Sequence, residues 1–193
     1  MLENLKNYNI LLASKSPRRR ELLAHLRIPF KVVTVGKISE DYPSGMPALE
    51  VAQYLSGVKA DAYRSIIGDD ELLITADTIV VLDGKVYGKP ADLDDARRML
   101  RELSGRVHQV ASGVTVTTIS KRTSFTTITD VRFADISDDD IDYYVENYMP
   151  LDKAGAYGIQ EWIGCIAVES INGSYYNVMG LPVHRLYQEL KYF

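Results

Sequence analysis

An apolar run that passes directly into a helix start, residues 11–23, constrains the fold more than any other segment of the chain. Ser16 suits the N-cap of this helix, and Pro17 suits its first position, where no amide hydrogen is needed. Leu22 and Leu26 then begin an apolar helix face. The segment therefore predicts a strand followed closely by a helix that packs through one face.

Three consecutive arginines, Arg18 to Arg20, lie in the first turn of that predicted helix. The free amide hydrogens at a helix N-terminus carry partial positive charge, which favours anions and disfavours arginines. A bound polyanion would offset this repulsion. The run therefore indicates a phosphate site, with a solvated basic face as the alternative.

Composition limits the classes of partner that the chain can have. Its 193 residues carry a net charge of -4, which argues against nucleic-acid wrapping and against attachment to an anionic membrane. A small-molecule partner is expected. Cys165 is the only cysteine, which fits a reducing compartment, and we expect its side chain to be buried. Since no apolar run reaches the roughly eighteen residues of a membrane span, we predict a cytoplasmic protein with no membrane partner.

Strand-like and helix-like segments alternate along the chain, which predicts an α/β fold. Predicted strands lie near residues 9–14, 29–35 and 72–82, and a long antiparallel hairpin is predicted from residues 107–119 and 123–133. Predicted helices lie near residues 17–27 and 48–63, after the caps Asp92 and Ser137, and at the end of the chain. The dipeptide at residues 83–84 predicts a tight turn after the third strand. The acidic residues 138–140 suit a helix start, with metal binding as the alternative.

Asp77 is a carboxylate within the otherwise apolar run 72–82. A buried carboxylate is costly unless it is paired with a cation, bound to a metal or protonated, and each of these outcomes suits the activation of water. Because Asp77 lies in the middle of the run rather than at the following turn, we interpret it as functional. A turn at the end of a strand is the alternative.

Two loops that contain glycine add further candidate side chains. Residues 84–90 place Lys89 between a glycine and a proline, and we expect its ammonium to lie close to Asp77, with a solvated lysine as the alternative. Residues 152–160 are rich in small side chains and end in Gln160, whose amide can read the edge of a base. A tight packing corner is the alternative for this second loop.

Five segments together resemble the Maf family of nucleoside triphosphate pyrophosphatases: ASKSPRRRELL, ADTIVVLDG with GKP, LSGRVHQV, DKAGAYGIQ and INGSYYNVMGLP. They lie between residues 11 and 182, so the resemblance covers nearly the whole chain. It implies a single Maf-type domain over residues 1–193, with a two-lobed, ITPase-like fold in which helices flank an elongated mixed sheet around a central nucleotide cleft. DKAGAYGIQ is similar to the branch that hydrolyses dTTP and UTP, whereas the branch that acts on 7-methyl-GTP differs at that point.

The resemblance also implies an activity. It implies hydrolysis of dTTP and UTP, or of modified pyrimidine nucleotides, at the α–β phosphate bond to give the monophosphate and pyrophosphate. A divalent metal cation, Mg²⁺ or Mn²⁺, would assist. The implied role is the house-cleaning of nucleotide pools, with a link to cell-division arrest as an open question. The implied assembly is a homodimer.

The same resemblance assigns roles to individual residues. Asp77 corresponds to the general base and a metal ligand, and Lys89 is the second catalytic residue. The implied substrate-binding residues are Ser14, Arg18, Arg19, Lys59, Thr78 and Gln160. Arg18, Thr78 and Gln160 match the positions that set specificity. The positions at the phosphates are matched by two arginines and two lysines: Arg18, Arg19, Lys59 and Lys89.

Two acidic positions depart from the family pattern. Glu40 corresponds to a second acid on the metal side, but residues 35–37 contain one residue more than the family pattern, so Asp41 is the alternative. Glu161 lies where relatives of this branch commonly carry glycine. A bulky acid beside Gln160 is expected to influence substrate preference.

Other functional classes make different demands on the sequence. A kinase or motor ATPase would need a G-x-x-x-x-G-K-[ST] run, and the sequence contains none. A nucleic-acid-binding regulator conflicts with the acidic charge balance. A non-catalytic nucleotide-binding regulator of cell division and a pyrophosphatase for 7-methyl-GTP are the remaining alternatives, and turnover of triphosphates separates them.

Overall fold

The computed structural model describes residues 2–36 and 38–193. Contacts within the chain divide it into two compact units. The first unit comprises Met1–Asp77, Ser112–Thr127 and Gly180–Phe193, and the second comprises Thr78–Ala111 and Ile128–Met179. A single domain over residues 1–193 stays a prediction.

Seven strands of the described chain form one mixed sheet. They are β1 (Asn9–Ala13), β2 (Lys31–Val33), β3 (Glu71–Leu82), β4 (Lys85–Tyr87), β5 (Val107–Thr117), β6 (Arg122–Phe133) and β7 (Val168–Asn172). The order is β2-β1-β3-β5-β6-β7, and β4 pairs with β3. β1 is parallel to β2 and β3, whereas β4 is antiparallel to β3 and β7 is antiparallel to β6. Together with the helices below, this sheet confirms the predicted α/β class.

Seven α-helices lie within the described residues: α1 (Pro17–Ala24), α2 (Val51–Tyr63), α3 (Leu93–Leu103), α4 (Asp138–Tyr148), α5 (Trp162–Ala167), α6 (Tyr175–Met179) and α7 (Val183–Lys191). The predicted N-caps are confirmed, because Ser16, Asp92 and Ser137 each accept a backbone N–H from the first turn of α1, α3 and α4. In the part of the chain that the structure covers, no helix has both the length and the apolar character needed to cross a bilayer.

The first unit packs α2 closely against the sheet. Tyr63 of α2 lies in a small core with Leu11 of β1 and Leu73 of β3. A Cβ on Gly113 of β5 would lie 2.2 Å from the backbone nitrogen of Gln53, so the α2 backbone passes directly over that glycine. This close approach places the N-terminal part of α2 directly against β5.

The second unit is built around a larger apolar core. Phe133, Tyr144 and Leu100 are fully buried there, between the sheet, α3 and α4. The predicted turn between β3 and β4 is confirmed, because Asp83 and Gly84 both have positive φ, at 51° and 76°, as a type I′ hairpin requires.

Several expectations about local structure were wrong. The helix expected over residues 17–27 ends at Ala24, and Arg27 has a positive φ of 56°, which an α-helix does not allow. The strand expected over residues 29–35 is reduced to the short edge strand β2. Cys165 is exposed rather than buried, because Ile163 and Ala167 turn one face of α5 into the core and leave Cys165 on the other.

Candidate active site

The predicted phosphate site lies where α1 follows the carboxyl end of β1. Ser14 orders this turn, since its hydroxyl accepts the backbone N–H of Ser16 at 3.2 Å. The hydroxyl of Ser16 in turn accepts the backbone N–H of Arg19 at 3.4 Å. Arg18 and Arg19 are partly buried, whereas Arg20 is exposed. The first turn of α1 is therefore ordered by two serine hydroxyls, as its sequence suggested.

Arg19 is held by backbone carbonyls. Its Nε donates to the carbonyl oxygen of Gly180 at 2.9 Å, and its Nη1 donates to that of Ala76 at 2.7 Å. The remaining nitrogen, Nη2, lies 3.9 Å from Oδ1 of Asp77. Burial lowers the pKa of Arg19, and the nearby Asp77 carboxylate opposes that shift. The guanidinium thus presents a fixed positive edge to Asp77.

Lys59 of α2 joins the two predicted metal-side acids. Its Nζ lies 3.1 Å from Oδ1 of Asp77 and 3.0 Å from Oε1 of Glu40. The side chains of Lys59 and Asp77 are 15% and 13% exposed, whereas that of Glu40 is 50% exposed. Asp41 instead accepts a hydrogen bond from the hydroxyl of Ser39 at 2.5 Å. Of the two alternatives, Glu40 is the acid that the structure brings to Lys59 and Asp77.

The backbone explains why these groups meet. Ala13, the last residue of β1, pairs with Thr75 of the parallel strand β3, so Asp77 lies two residues beyond the carboxyl end of β1. In α/β sheets, ligands bind outside the carboxyl ends of parallel strands. The N-terminus of α1 begins at the same edge, which places its amides and Asp77 beside one region.

Sequence reasoning missed the two carbonyl groups that hold Arg19. Gly180 belongs to the segment INGSYYNVMGLP, and its φ of 117° is one that a side chain would oppose. The glycine could have been noted as a special backbone position. Its partnership with Arg19, 161 residues away in the sequence, left no local signal.

The donor set fits a hard divalent cation. Glu40 and Asp77 supply two carboxylates that contact one ammonium, and Mg²⁺ is commonly bound by one or two carboxylates together with substrate phosphates and water. Across residues 2–36 and 38–193, no group of three or more His, Cys, Asp or Glu side chains forms a metal cluster.

The remaining predicted site residues belong to the second unit. Thr78 follows Asp77 in β3 and is partly buried, whereas Lys89 and Gln160 are exposed. The backbone N–H of Gly155 donates to the carbonyl oxygen of Gly88 at 3.0 Å, so the loops that carry Lys89 and Gln160 are joined. The expected closeness of Lys89 to Asp77 stays a prediction.

Glu161 interacts differently from what its position beside Gln160 suggested. Its carboxylate contacts Nζ of Lys153 at 3.0 Å and the hydroxyl of Tyr144. An influence of Glu161 on substrate preference would therefore be indirect.

The chain is similar to known proteins over nearly its whole length. The sequence model of the family described as Maf-like protein matches residues 9–193. A dTTP/UTP pyrophosphatase from Phocaeicola vulgatus is 58% identical over 191 residues, which cover 99% of each chain. One from Porphyromonas gingivalis is 55% identical over 195 residues, covering 100% of this chain and 98% of that protein.

A solved structure is also similar. The nucleoside-triphosphatase, or dITP/XTP pyrophosphatase, of Mycobacterium abscessus is 13% identical, with coverage of 94% of this chain and 93% of that chain and a TM-score of 0.45. The sequence matches extend over nearly all of the chain. This protein belongs to the Maf-like protein family.

Proposed function

We propose that this protein hydrolyses dTTP and UTP at the α–β phosphate bond and releases the nucleoside monophosphate and pyrophosphate. The observation that carries the proposal is the convergence of Arg19 and Lys59 on the Asp77 carboxylate at the carboxyl end of parallel strands. The names of the similar proteins support the choice of reaction and substrates.

The two cations have an electrostatic role in this proposal. A triphosphate carries several negative charges, which would repel Asp77 unless positive groups lie between or beside them. Arg19 and Lys59 both lie within 3.9 Å of Asp77. Such preorganised charges stabilise a transition state without reorganisation during the reaction.

Asp77 is the proposed general base. The water oxygen forms a bond to the α-phosphorus, the bond from that phosphorus to the α–β bridging oxygen breaks, and pyrophosphate leaves with the bonding electrons. The proton that the water loses goes to the Asp77 carboxylate. No covalent intermediate with the protein is required.

A divalent cation, Mg²⁺ or Mn²⁺, is part of the proposal. Glu40 and Asp77 would hold it, and when bound it would supply positive charge that neutralises the triphosphate oxygens. Lys59 keeps these two carboxylates close to each other in the structure. Its ammonium is also available to phosphate oxygens, for which a compact charge is well suited.

The family resemblance assigns base selection to Arg18, Thr78 and Gln160. It also assigns phosphate contact to Arg18 and Lys89, and substrate binding to Ser14. The edge shared by uracil and thymine offers an acceptor oxygen beside an N–H donor. A glutamine amide carries the complementary donor and acceptor. Gln160 is exposed, so its amide is accessible to a ligand.

A panel of triphosphates tests the proposal. The purified protein is incubated with Mg²⁺ or Mn²⁺ and dTTP, UTP, CTP, GTP, ATP or 7-methyl-GTP, and the release of pyrophosphate and monophosphate is measured. We expect selective release from dTTP and UTP. Turnover of 7-methyl-GTP would place the protein in another branch, and intact triphosphates with several metals would favour a non-catalytic regulator.

We also propose a cytoplasmic homodimer whose macromolecular partners do not include nucleic acid or membrane. The single exposed thiol of Cys165 fits a reducing compartment, and the dimer follows the family resemblance. Light scattering tests the assembly, because a dimer has twice the 21.7 kDa mass of one chain. A mass of one chain at working concentrations would contradict it.

A further inference from the structure

Gln160 lies within a tight turn whose two ends are both held by hydrogen bonds. The backbone N–H of Glu161 donates to the carbonyl oxygen of Gly158 at 2.9 Å and closes the turn. Glu161 is also the N-cap residue of α5, yet its side chain makes no capping hydrogen bond there. The carboxylate is directed elsewhere, although the position would allow it to cap the helix.

One hydroxyl contacts both ends of this turn. The phenol oxygen of Tyr144, a fully buried residue of α4, accepts the backbone N–H of Gly158 at 3.0 Å. The same hydroxyl donates to Oε2 of Glu161. Burial, reinforced by the Glu161 carboxylate, raises the pKa of Tyr144, so its hydroxyl keeps the proton that it donates. Tyr144 therefore ties the first and last residues of the turn to α4.

Lys153 completes the arrangement from the other side. Its Nζ lies 3.0 Å from Oε1 of Glu161 and 2.7 Å from Oδ1 of Asp152, and its side chain is 8% exposed. Both carboxylate oxygens of Glu161 thus have a donor. A Cβ on Gly158 would lie 2.8 Å from Cδ of Glu161 and 3.0 Å from Cε of Lys153, so these side chains fill the space over that glycine.

We propose that Tyr144, Glu161 and Lys153 are positioning residues that fix the turn carrying Gln160 and thereby set the selectivity for the base. The inference rests on the proposed function, in which Gln160 contacts the base. A glutamine side chain is flexible, so its amide discriminates between bases only if its backbone is held in place. Glu161 acts on the substrate through this turn and not through a contact of its own.

The second unit contains a matched control for this triad. The hydroxyl of Tyr87 donates a hydrogen bond to Glu102, and Nζ of Lys85 lies 2.8 Å from Oε2 of the same carboxylate. Tyr87 is buried, as Tyr144 is. These residues connect β4 to α3 and involve the same three side-chain types. Removing the same atoms from this second triad controls for the loss of a Tyr–Glu hydrogen bond as such.

The experiment compares Tyr144→Phe and Glu161→Gln with Tyr87→Phe and Glu102→Gln. For each variant, kcat and KM are measured for UTP and CTP, together with the melting temperature. We expect Tyr144→Phe and Glu161→Gln to raise the KM for UTP and to lower the UTP-over-CTP ratio of kcat/KM about tenfold, with kcat for UTP little changed. The double variant should lose no more than either single one, because both break the same connection.

The two control variants should lower the melting temperature and leave the UTP-over-CTP ratio unchanged. If Tyr144→Phe and Glu161→Gln behave like these controls, the triad only stabilises the fold and the inference is overturned. If the wild-type chain turns over no triphosphate, the proposed function fails separately. In that case the fluorescence of Trp162, the single tryptophan and the neighbour of Glu161, reports binding of UTP and CTP. Equal affinities in the wild type and in Glu161→Gln would then contradict the positioning role.

Discussion

Two clusters in the two units have nearly the same composition. In each, one lysine ammonium lies within 3.1 Å of two carboxylates, of which one is largely buried and the other about half exposed. The first cluster consists of Lys59, Asp77 and Glu40, and the second of Lys153, Glu161 and Asp152. Ion pairing alone therefore does not distinguish a functional site from a structural one.

The second partner of the more buried acid distinguishes the two clusters. Glu161 accepts a hydrogen bond from the neutral hydroxyl of Tyr144, so both partners of its carboxylate belong to the protein. Asp77 faces a second cation, Arg19, whose Nη2 lies 3.9 Å away. Two cations that converge on one carboxylate repel each other, and an additional anion would relieve that repulsion. The Asp77 cluster is thus suited to a polyanionic ligand, and the Glu161 cluster to holding a turn.

The largest expected effect comes from Asp77→Asn, which removes the proton acceptor and keeps the shape of the side chain. We expect kcat to fall about 10²- to 10⁴-fold, as is typical when a general base is lost. A cooperative urea-unfolding transition should show that the Asp77→Asn variant is folded. Asp152→Asn, at the exposed acid of the other cluster, is the control and should retain kcat. Near-normal turnover by Asp77→Asn would remove Asp77 from the mechanism.

Replacing each lysine by methionine tests the comparison through stability. Lys153→Met leaves the buried Glu161 carboxylate with Tyr144 alone, and we expect a loss of about 3 kcal/mol in the free energy of unfolding. Lys59→Met should lose only about 1 kcal/mol, because Asp77 keeps Arg19 and the exposed Glu40 can turn to water. Urea denaturation measures both values. Equal losses of unfolding free energy in the two variants would contradict the distinction between a structural cluster and a ligand-binding one.

Sequence patterns predicted much of the fold because the signals were local. The caps Ser16, Asp92 and Ser137 and the turn at residues 83–84 follow from short-range backbone chemistry, and the structure confirms them. The short elements between residues 162 and 179 were missed. β7 alternates poorly between buried and exposed residues, and α5 and α6 are too short for a helical period to stand out.

The sequence indicated only some of the residues of the candidate site. Asp77 was found because a charge within an apolar run is conspicuous, whereas Glu40 was identified only by resemblance to the family. Tyr144 is a buried residue of α4, and nothing in the sequence links its hydroxyl to Glu161. The carbonyl groups that bind Arg19 belong to the backbone, so the side-chain types in the sequence do not indicate them.

The second unit is expected to lose stability in acid because of His108. His108 is buried, its Nε2 contacts the hydroxyl of Tyr157 at 2.8 Å, and burial lowers its pKa to about 4 from 6.5. Since the unfolded chain binds the proton more readily, the contribution of neutral His108 is present above pH 6.5 and is lost as the pH falls through 4. The loss amounts to about 3 kcal/mol.

Urea unfolding at several pH values measures this dependence. His108→Gln cannot be protonated, so its stability should fall less steeply between pH 6.5 and pH 4 than that of the wild type. Phe133, which packs edge to face against His108 at 4.8 Å, adds no charge to this pocket. Identical slopes for the two proteins would assign the acid sensitivity to other groups.

Arg19→Ala tests whether the cation at the first cluster serves a ligand. The variant loses the hydrogen bonds to Gly180 and Ala76, which should cost about 2 kcal/mol of unfolding free energy. The KM for the triphosphate should also rise about tenfold, because a positive group beside the phosphates is lost. Arg20→Ala, in the same arginine run but exposed, should change neither value. A stability loss with an unchanged KM would make Arg19 a structural clamp, and the difference between the two clusters would then rest on Lys59 and Asp77 alone.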